Sequence, residues 1–125
     1  MSEHERILLL AHGSSDSHWC DTFEQLAAPT LKAHPTASIA YMELAEPSLE
    51  QEVERLSAEG ATQVSVIPLF LAAGRHLRKD VPEMIEGLEK KFSVHIRLLR
   101  PIGEDPELGE AIERVVGRIR REANE

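Results

Sequence analysis

Three side chains suited to metal or proton chemistry, His12, Glu43 and His76, stand in comparable settings along the chain. Each comes soon after an apolar run: Ile7 to Ala11 before His12, Ala37 to Met42 before Glu43, and Val64, Val66 and Ile67 ahead of His76. Such runs read as buried strands, and open α/β sheets bind ligands just past the carboxyl ends of their strands. Two imidazoles and a carboxylate suit a divalent first-row metal while leaving positions open for substrate or water. The same groups can accept protons, because histidine titrates near neutral pH. Arg75, Arg78 and Lys79 surround His76 in the sequence. A ligand or base ringed by cations points to an anionic partner.

The elements that must position these residues follow from periodicity and punctuation. Strands are expected at Ile7 to Ala11, Ala37 to Met42, Thr62 to Pro68 and Ser93 to Leu99. Between the first two, Trp19, Phe23, Leu26, Ala27 and Leu31 recur at helical spacing from His18 to about Ala33, with Pro29 predicting a kink or break. Ser48 and Gln51 match a capping box, and Pro47 suits the entry to a helix that Gly60 stops. Asp80 is a plausible N-cap for a helix to about Lys91, with Val81, Met84, Ile85 and Leu88 inward. Asp105-Pro106 opens a last helix whose Leu108, Ile112, Val115, Val116 and Ile119 are expected to face the core, and the tail after Arg121 reads as loose.

Strand and helix alternate four times, which predicts one domain over residues 1–125 with a four-stranded parallel sheet and helices on both faces. With the first strand in the middle, as in flavodoxin-like orders, His12, Glu43 and His76 converge on one crevice. His4, His18, His34 and His95 lack such company and read as structural or solvated.

Composition narrows the function classes. The net charge of −8 argues against nucleic acid as the main partner. Residues 1–74 hold three cations and eleven anions, whereas residues 75–125 hold eleven of each. An anionic ligand must therefore be met locally by Arg75, Arg78 and Lys79, not by the overall field. The single Cys20 forms no internal bridge, which fits a reducing, cytoplasmic setting. No apolar run approaches a membrane span, and the acidic N-terminus is unlike a signal peptide. Gly13-Ser14-Ser15 lacks the lysine and glycines of a phosphate loop.

Three motifs carry a resemblance. Ala11-His12-Gly13-Ser14, Glu43-Leu44-Ala45-Glu46-Pro47-Ser48, and Pro68-Leu69-Phe70-Leu71 leading to Gly74-Arg75-His76-Leu77-Arg78-Lys79-Asp80-Val81-Pro82 resemble the short CbiX/SirB-type sirohydrochlorin chelatases, over about residues 7–116. The resemblance implies the chelatase fold of class II tetrapyrrole chelatases and insertion of cobalt or iron into sirohydrochlorin, toward cobalamin or sirohaem, with nickel less favoured. It implies His12 and His76 as paired metal-binding and proton-accepting histidines, with Glu43 as the acidic position between them. Ser14, Gly74, Arg75, Arg78 and Lys79 are then substrate contacts, the cations pairing with the macrocycle's carboxylates. Arg75 stands where relatives often carry a second glycine, and Ser15 where many carry arginine. No redox cofactor or nucleotide is implied, and a chain of this length is expected to work as a homodimer with the macrocycle between two copies. Two other readings use the same residues: a metal or tetrapyrrole carrier that binds without turnover, and a small α/β interaction domain with structural histidines.

Overall fold

Four apolar segments form one parallel sheet: β1 (Glu5–Ala11), β2 (Ala37–Tyr41), β3 (Gln63–Pro68) and β4 (His95–Leu98), in the spatial order β2-β1-β3-β4. They belong to a computed structural model that describes residues 4–125, the side chain of His76 excepted. Helices α1 (Ser17–Ala33), α2 (Leu49–Ala58) and α3 (Val81–Phe92) make the crossovers, and α4 (Pro106–Ala123) ends the chain. The order places β1 between β2 and β3, as the flavodoxin-like reading requires.

Side chains alternate across each strand, so each strand divides its residues between two faces. On one face Leu8, Leu10, Ala40, Val64, Val66 and Ile96 pack under Leu49, Val53 and Leu56 of α2 and Ile85 and Leu88 of α3. All are buried, and several have no exposed surface. On the opposite face Ala11 and Tyr41 meet Phe23 of α1, with Cys20, Ile39 and Leu69 around them. The helices thus occupy both faces, but the second cluster is much the smaller.

Local signals explain most element ends. Ser48 Oγ accepts from the Gln51 backbone N–H at 3.1 Å while Gln51 Oε1 accepts from the Ser48 N–H at 2.8 Å, the expected reciprocal box. Asp105 caps α4 by accepting from Glu107 N at 2.9 Å. Asp16 does the same for α1 through His18 N.

Four expectations are corrected. Helix α1 runs through Pro29 without a break, so of the kink or break expected there the break does not occur; the carbonyl that loses its donor belongs to Gln25, an exposed residue. Asp80 holds helical backbone angles and makes no side-chain cap bond, because a turn of π-helix (His76–Asp80) feeds directly into α3. The tail is helical as far as Ala123. Most consequentially, α4 buries none of its residues, and Ile112, Val115, Val116 and Ile119 are 41–57% exposed. Its main contact is with the 3-10 turn (Ile102–Glu104) that precedes it.

Candidate functional site

Strand register brings the ends of β1, β2 and β3 level. Ala11 pairs with Tyr41 and Leu10 with Pro68, so His12, Met42 and Leu69 leave the sheet side by side. Backbone bonds continue the alignment past the strands: Met42 N donates to Ala11 O at 2.9 Å, Glu43 N to His12 O at 3.1 Å, and Leu69 N to Leu10 O at 2.8 Å. The loops carrying His12 and Glu43 are therefore bonded to each other by the backbone.

Gly13 is what permits this approach. It has φ +99°, and a Cβ built there would lie 1.8 Å from the Glu43 carbonyl oxygen. Any side chain would force the two loops apart. The Glu43 loop is closed at its far side by Tyr41 N donating to Pro47 O at 2.8 Å, after a cis Glu46-Pro47 bond and with Leu44 in the left-handed region at φ 62°.

The His12 imidazole lies flat on Phe70, with ring centroids 3.9 Å apart and planes 11° apart. Phe70 is 3% exposed, and its carbonyl accepts from Gly103 N at 3.0 Å. Gly103 also touches the next peptide so closely that a Cβ would fall 1.7 Å from Leu71 O. The turn before α4 thus presses the Phe70 segment toward the strand ends, and the buried phenyl ring gives the exposed imidazole a fixed plane.

His12, Glu43, Met42, Asp80 and Met84 line one cavity of ≈210 Å³. Two members of the expected ligand set therefore share a cavity. Among the described residues, however, no three His, Cys, Asp or Glu side chains stand close enough to hold a metal. The third member, His76, opens the π-helical turn, and its side chain lies outside the described residues. Asp80 was read from sequence only as a helix cap; its place on the cavity wall is new, and the π turn that lifts it out of the capping position gave no periodic signal. The stacking of Phe70 on His12 is likewise visible only in three dimensions.

The remaining candidates fall around this cavity or are used locally. Arg75, Arg78 and Lys79 are exposed, Arg75 just before the π-helical segment and the other two on it, and Arg78 N donates to Gly74 O at 3.1 Å. Gly74 is sterically open, so its lack of a side chain is not required by the fold. Ser14 Oγ accepts from Asp16 N at 3.0 Å and its carbonyl from Cys20 Sγ at 3.5 Å, which commits the residue to the turn that starts α1. His4 Nδ1 contacts Gly60 O, and His95 pairs with Glu89 at 3.4 Å, in line with structural roles. Larger grooves exist elsewhere, such as one of ≈340 Å³ beside Ile67, Leu99 and Ile102, but it contains no histidine.

Below the site, Tyr41 is pushed up to about 12 by burial first and then by the negative charge of Glu24 and neighbouring groups. It is a neutral hydrogen-bonding member of the α1 cluster, not a proton acceptor at neutral pH.

This geometry defines a class: a small doubly wound α/β domain with His12, Glu43 and Asp80 on one cavity beyond its strand ends and exposed cations close by in the chain. The chain belongs to the CbiX family, whose model matches residues 6–119. It is 56% identical to a putative cobalamin biosynthesis CbiX protein from Marinobacter aquaeolei VT8, whose crystal structure aligns over 97% of this chain and 98% of that one with a TM-score of 0.91. It is 30% identical over 115 residues to the sirohydrochlorin cobaltochelatase of Sulfurisphaera tokodaii, spanning 92% of this chain and 93% of that protein. The sirohydrochlorin chelatase SirB of Bacillus subtilis subspecies spizizenii, solved in complex with cobalt, aligns with 92% of this chain but 50% of its own, at 28% identity and TM-score 0.76. A second Bacillus subtilis SirB structure, with Fe3+, aligns over 88% of this chain and 45% of its own at 32% identity and TM-score 0.71.

Proposed function

We propose that this chain is a sirohydrochlorin chelatase, a lyase that inserts a divalent metal, cobalt or iron, into sirohydrochlorin for cobalamin or sirohaem synthesis. The observation that carries the reading is the register-aligned pair of strand ends, which sets the oriented His12 imidazole and the Glu43 carboxylate on one cavity. Support also comes from family membership and from relatives of nearly the same length whose names state this activity.

Insertion exchanges the two pyrrole N–H protons of the macrocycle for one divalent metal, so a site needs a place to hold the metal and a group to take each proton. His12 serves both needs as a neutral imidazole, presenting a nitrogen lone pair to metal or proton while Phe70 fixes its plane. Glu43 and His76 complete the proposed ligand set. A cavity of ≈210 Å³ takes the metal and one edge of the macrocycle, not the whole of it. The rest lies across the open crevice, where Arg75, Arg78 and Lys79 pair with its carboxylates and Ser14 and Gly74 border it. The chain acts as one unit, needs no cofactor beyond the substrate metal, works as a homodimer in the cytoplasm, and binds neither nucleic acid nor membrane; no described helix is long and apolar enough to cross a bilayer.

The test is an anaerobic absorbance assay with sirohydrochlorin and Co²⁺ or Fe²⁺. Multiple-turnover insertion is expected, with His12→Ala and His76→Ala reducing it by about 100-fold or more, the scale of a lost acid-base group. Arg78→Ala is expected to raise KM with little change in kcat, because a rim cation binds ground and transition states alike. Stoichiometric binding without turnover would make the chain a carrier.

A further inference from the structure

Two large leucines stand outward on the loops that build the site, and in each loop a neighbouring apolar residue has turned inward. In the Glu43 loop, Ala45 packs on the cluster of Phe23 and Tyr41, while Leu44, one residue before it, is 67% exposed. After β3, Phe70 is buried against His12 and Ala73 packs on the main core, yet Leu71 between them is 74% exposed. A single exposed leucine is ordinary, and α1 carries one in Leu26. Burial favours the larger side chain, however, so loops that tuck in an alanine and leave out a leucine run against it.

The backbone holds both leucines in place. Leu44 lies at φ 62°, a region that large side chains avoid. Its loop is pinned on either side, by Glu43 N donating to His12 O at 3.1 Å and Tyr41 N to Pro47 O at 2.8 Å. Such a conformation persists only where its surroundings impose it, and ligand-binding segments are where it concentrates. Leu71 is held from behind: Gly103 N donates to Phe70 O at 3.0 Å, and a Cβ on Gly103 would fall 1.7 Å from Leu71 O. Leu44 follows Glu43, which lines the ≈210 Å³ cavity, and Leu71 follows Phe70, on which the His12 ring lies. Each leucine is thus bonded to a residue that forms or supports the site.

We infer that Leu44 and Leu71 are substrate-binding residues, an apolar seat for the flat face of the macrocycle beside His12. The seat rests on the chelatase reading above and holds the part of the ligand that cations cannot. A tetrapyrrole has a broad apolar face and a carboxylate fringe. Cations recognise the fringe but leave the face against water. Leucines that are already exposed and fixed by the backbone cover apolar area without ordering a loop on binding. Order along the chain agrees: the connection after β3 runs from Leu71 to Arg75, changing from apolar to cationic as it leaves the His12 stack.

The test is an equilibrium absorbance titration of metal-free sirohydrochlorin, at low and high salt, on the wild type, Leu44→Asn, Leu71→Ser, Leu44→Met, Leu71→Met and Arg78→Ala. Asparagine tolerates the left-handed region, so Leu44→Asn keeps the loop and removes the apolar chain. The asparagine and serine variants should each weaken binding about 10-fold, the scale of a partly buried leucine. That loss should be equal at both salt concentrations, whereas the loss in Arg78→Ala should shrink at high salt. The methionine variants restore the apolar area and should bind within about threefold of the wild type. Asparagine and serine variants that titrate like the wild type overturn the seat, as does a loss that vanishes in high salt or that the methionine variants share. With wild-type insertion of metal intact, those results leave the chelatase reading standing. Tight binding without insertion removes that reading and keeps the seat, and a wild type that binds no sirohydrochlorin removes both.

Discussion

The two faces of the sheet are finished to different degrees. Under α2 and α3, Val53, Leu56, Val64, Val66 and Val81 show no exposed surface. Across the sheet, α1 buries only Phe23 and Ala27, and α4 buries nothing. The sealed face is a core in the ordinary sense, close-packed and intolerant of lost volume. The open face has fewer buried residues of the same types, and α4 does not cover it. One face therefore carries most of the buried core, and the other buries far less. The candidate site lies at the carboxyl end of the sheet, where the loops that follow β1 and β2 are bonded together.

The sharpest test of this contrast is a cavity in the sealed face. Leu56→Ala removes a side chain with no exposure from between α2 and the sheet. It should lower unfolding stability by about 2–5 kcal/mol, read from urea melts with an unchanged slope. A loss below about 1 kcal/mol would mean that the face can collapse around the void.

A smaller effect is expected at the rim, where the open face meets the site. Gly13→Ala puts a Cβ into the Glu43 carbonyl at a φ that side chains avoid. The strain should cost about 1–3 kcal/mol. It should also cut metal insertion, because the only relief is separation of the His12 and Glu43 loops. Full activity with reduced stability would show that the two loops need not touch during turnover.

The contrast also bears on what could be read from the chain alone. The strands were legible because buried parallel strands are continuous apolar runs, and the α2 start because Ser48 and Gln51 form a reciprocal pair at fixed spacing. His12 and Glu43 were legible as neighbours because both follow strands, and register did the rest. The π-helical turn was not, since a wider turn at 76–80 has no repeat of its own and Asp80 looks like an ordinary cap. Nor was the place of α4. A 3.6-residue apolar stripe announces that a helix will be covered without saying by which chain, so Ile112 and Val115 read as core.

Tyr41 offers a pH-dependent probe of the α1 cluster on the open face. As the only tyrosine, it can be followed by phenolate absorbance, and it should ionise near 12, with burial as the main cause. Its folded value lies above the unfolded value of about 10. The unfolded chain therefore loses the proton first, and stability should be level below pH ~10 and fall between ~10 and ~12. Ionisation near 10 in the folded protein would mean that water reaches the hydroxyl and that the α1 cluster is looser than its packing implies.

The smallest effect should come from α4 itself, and its size should depend on concentration. Ile119 is 57% exposed, so Ile119→Ser removes little packing within one chain. In a dilute sample the melting curve should move by no more than about 0.5 kcal/mol, the range for surface sites. If a second copy covers the helix, folding and association are linked, and the wild type gains stability as concentration rises while the variant does not. The difference between them should therefore be near zero at low concentration and grow with it. A large, concentration-independent loss would place Ile119 against its own chain after all, and the open face would then be covered from within.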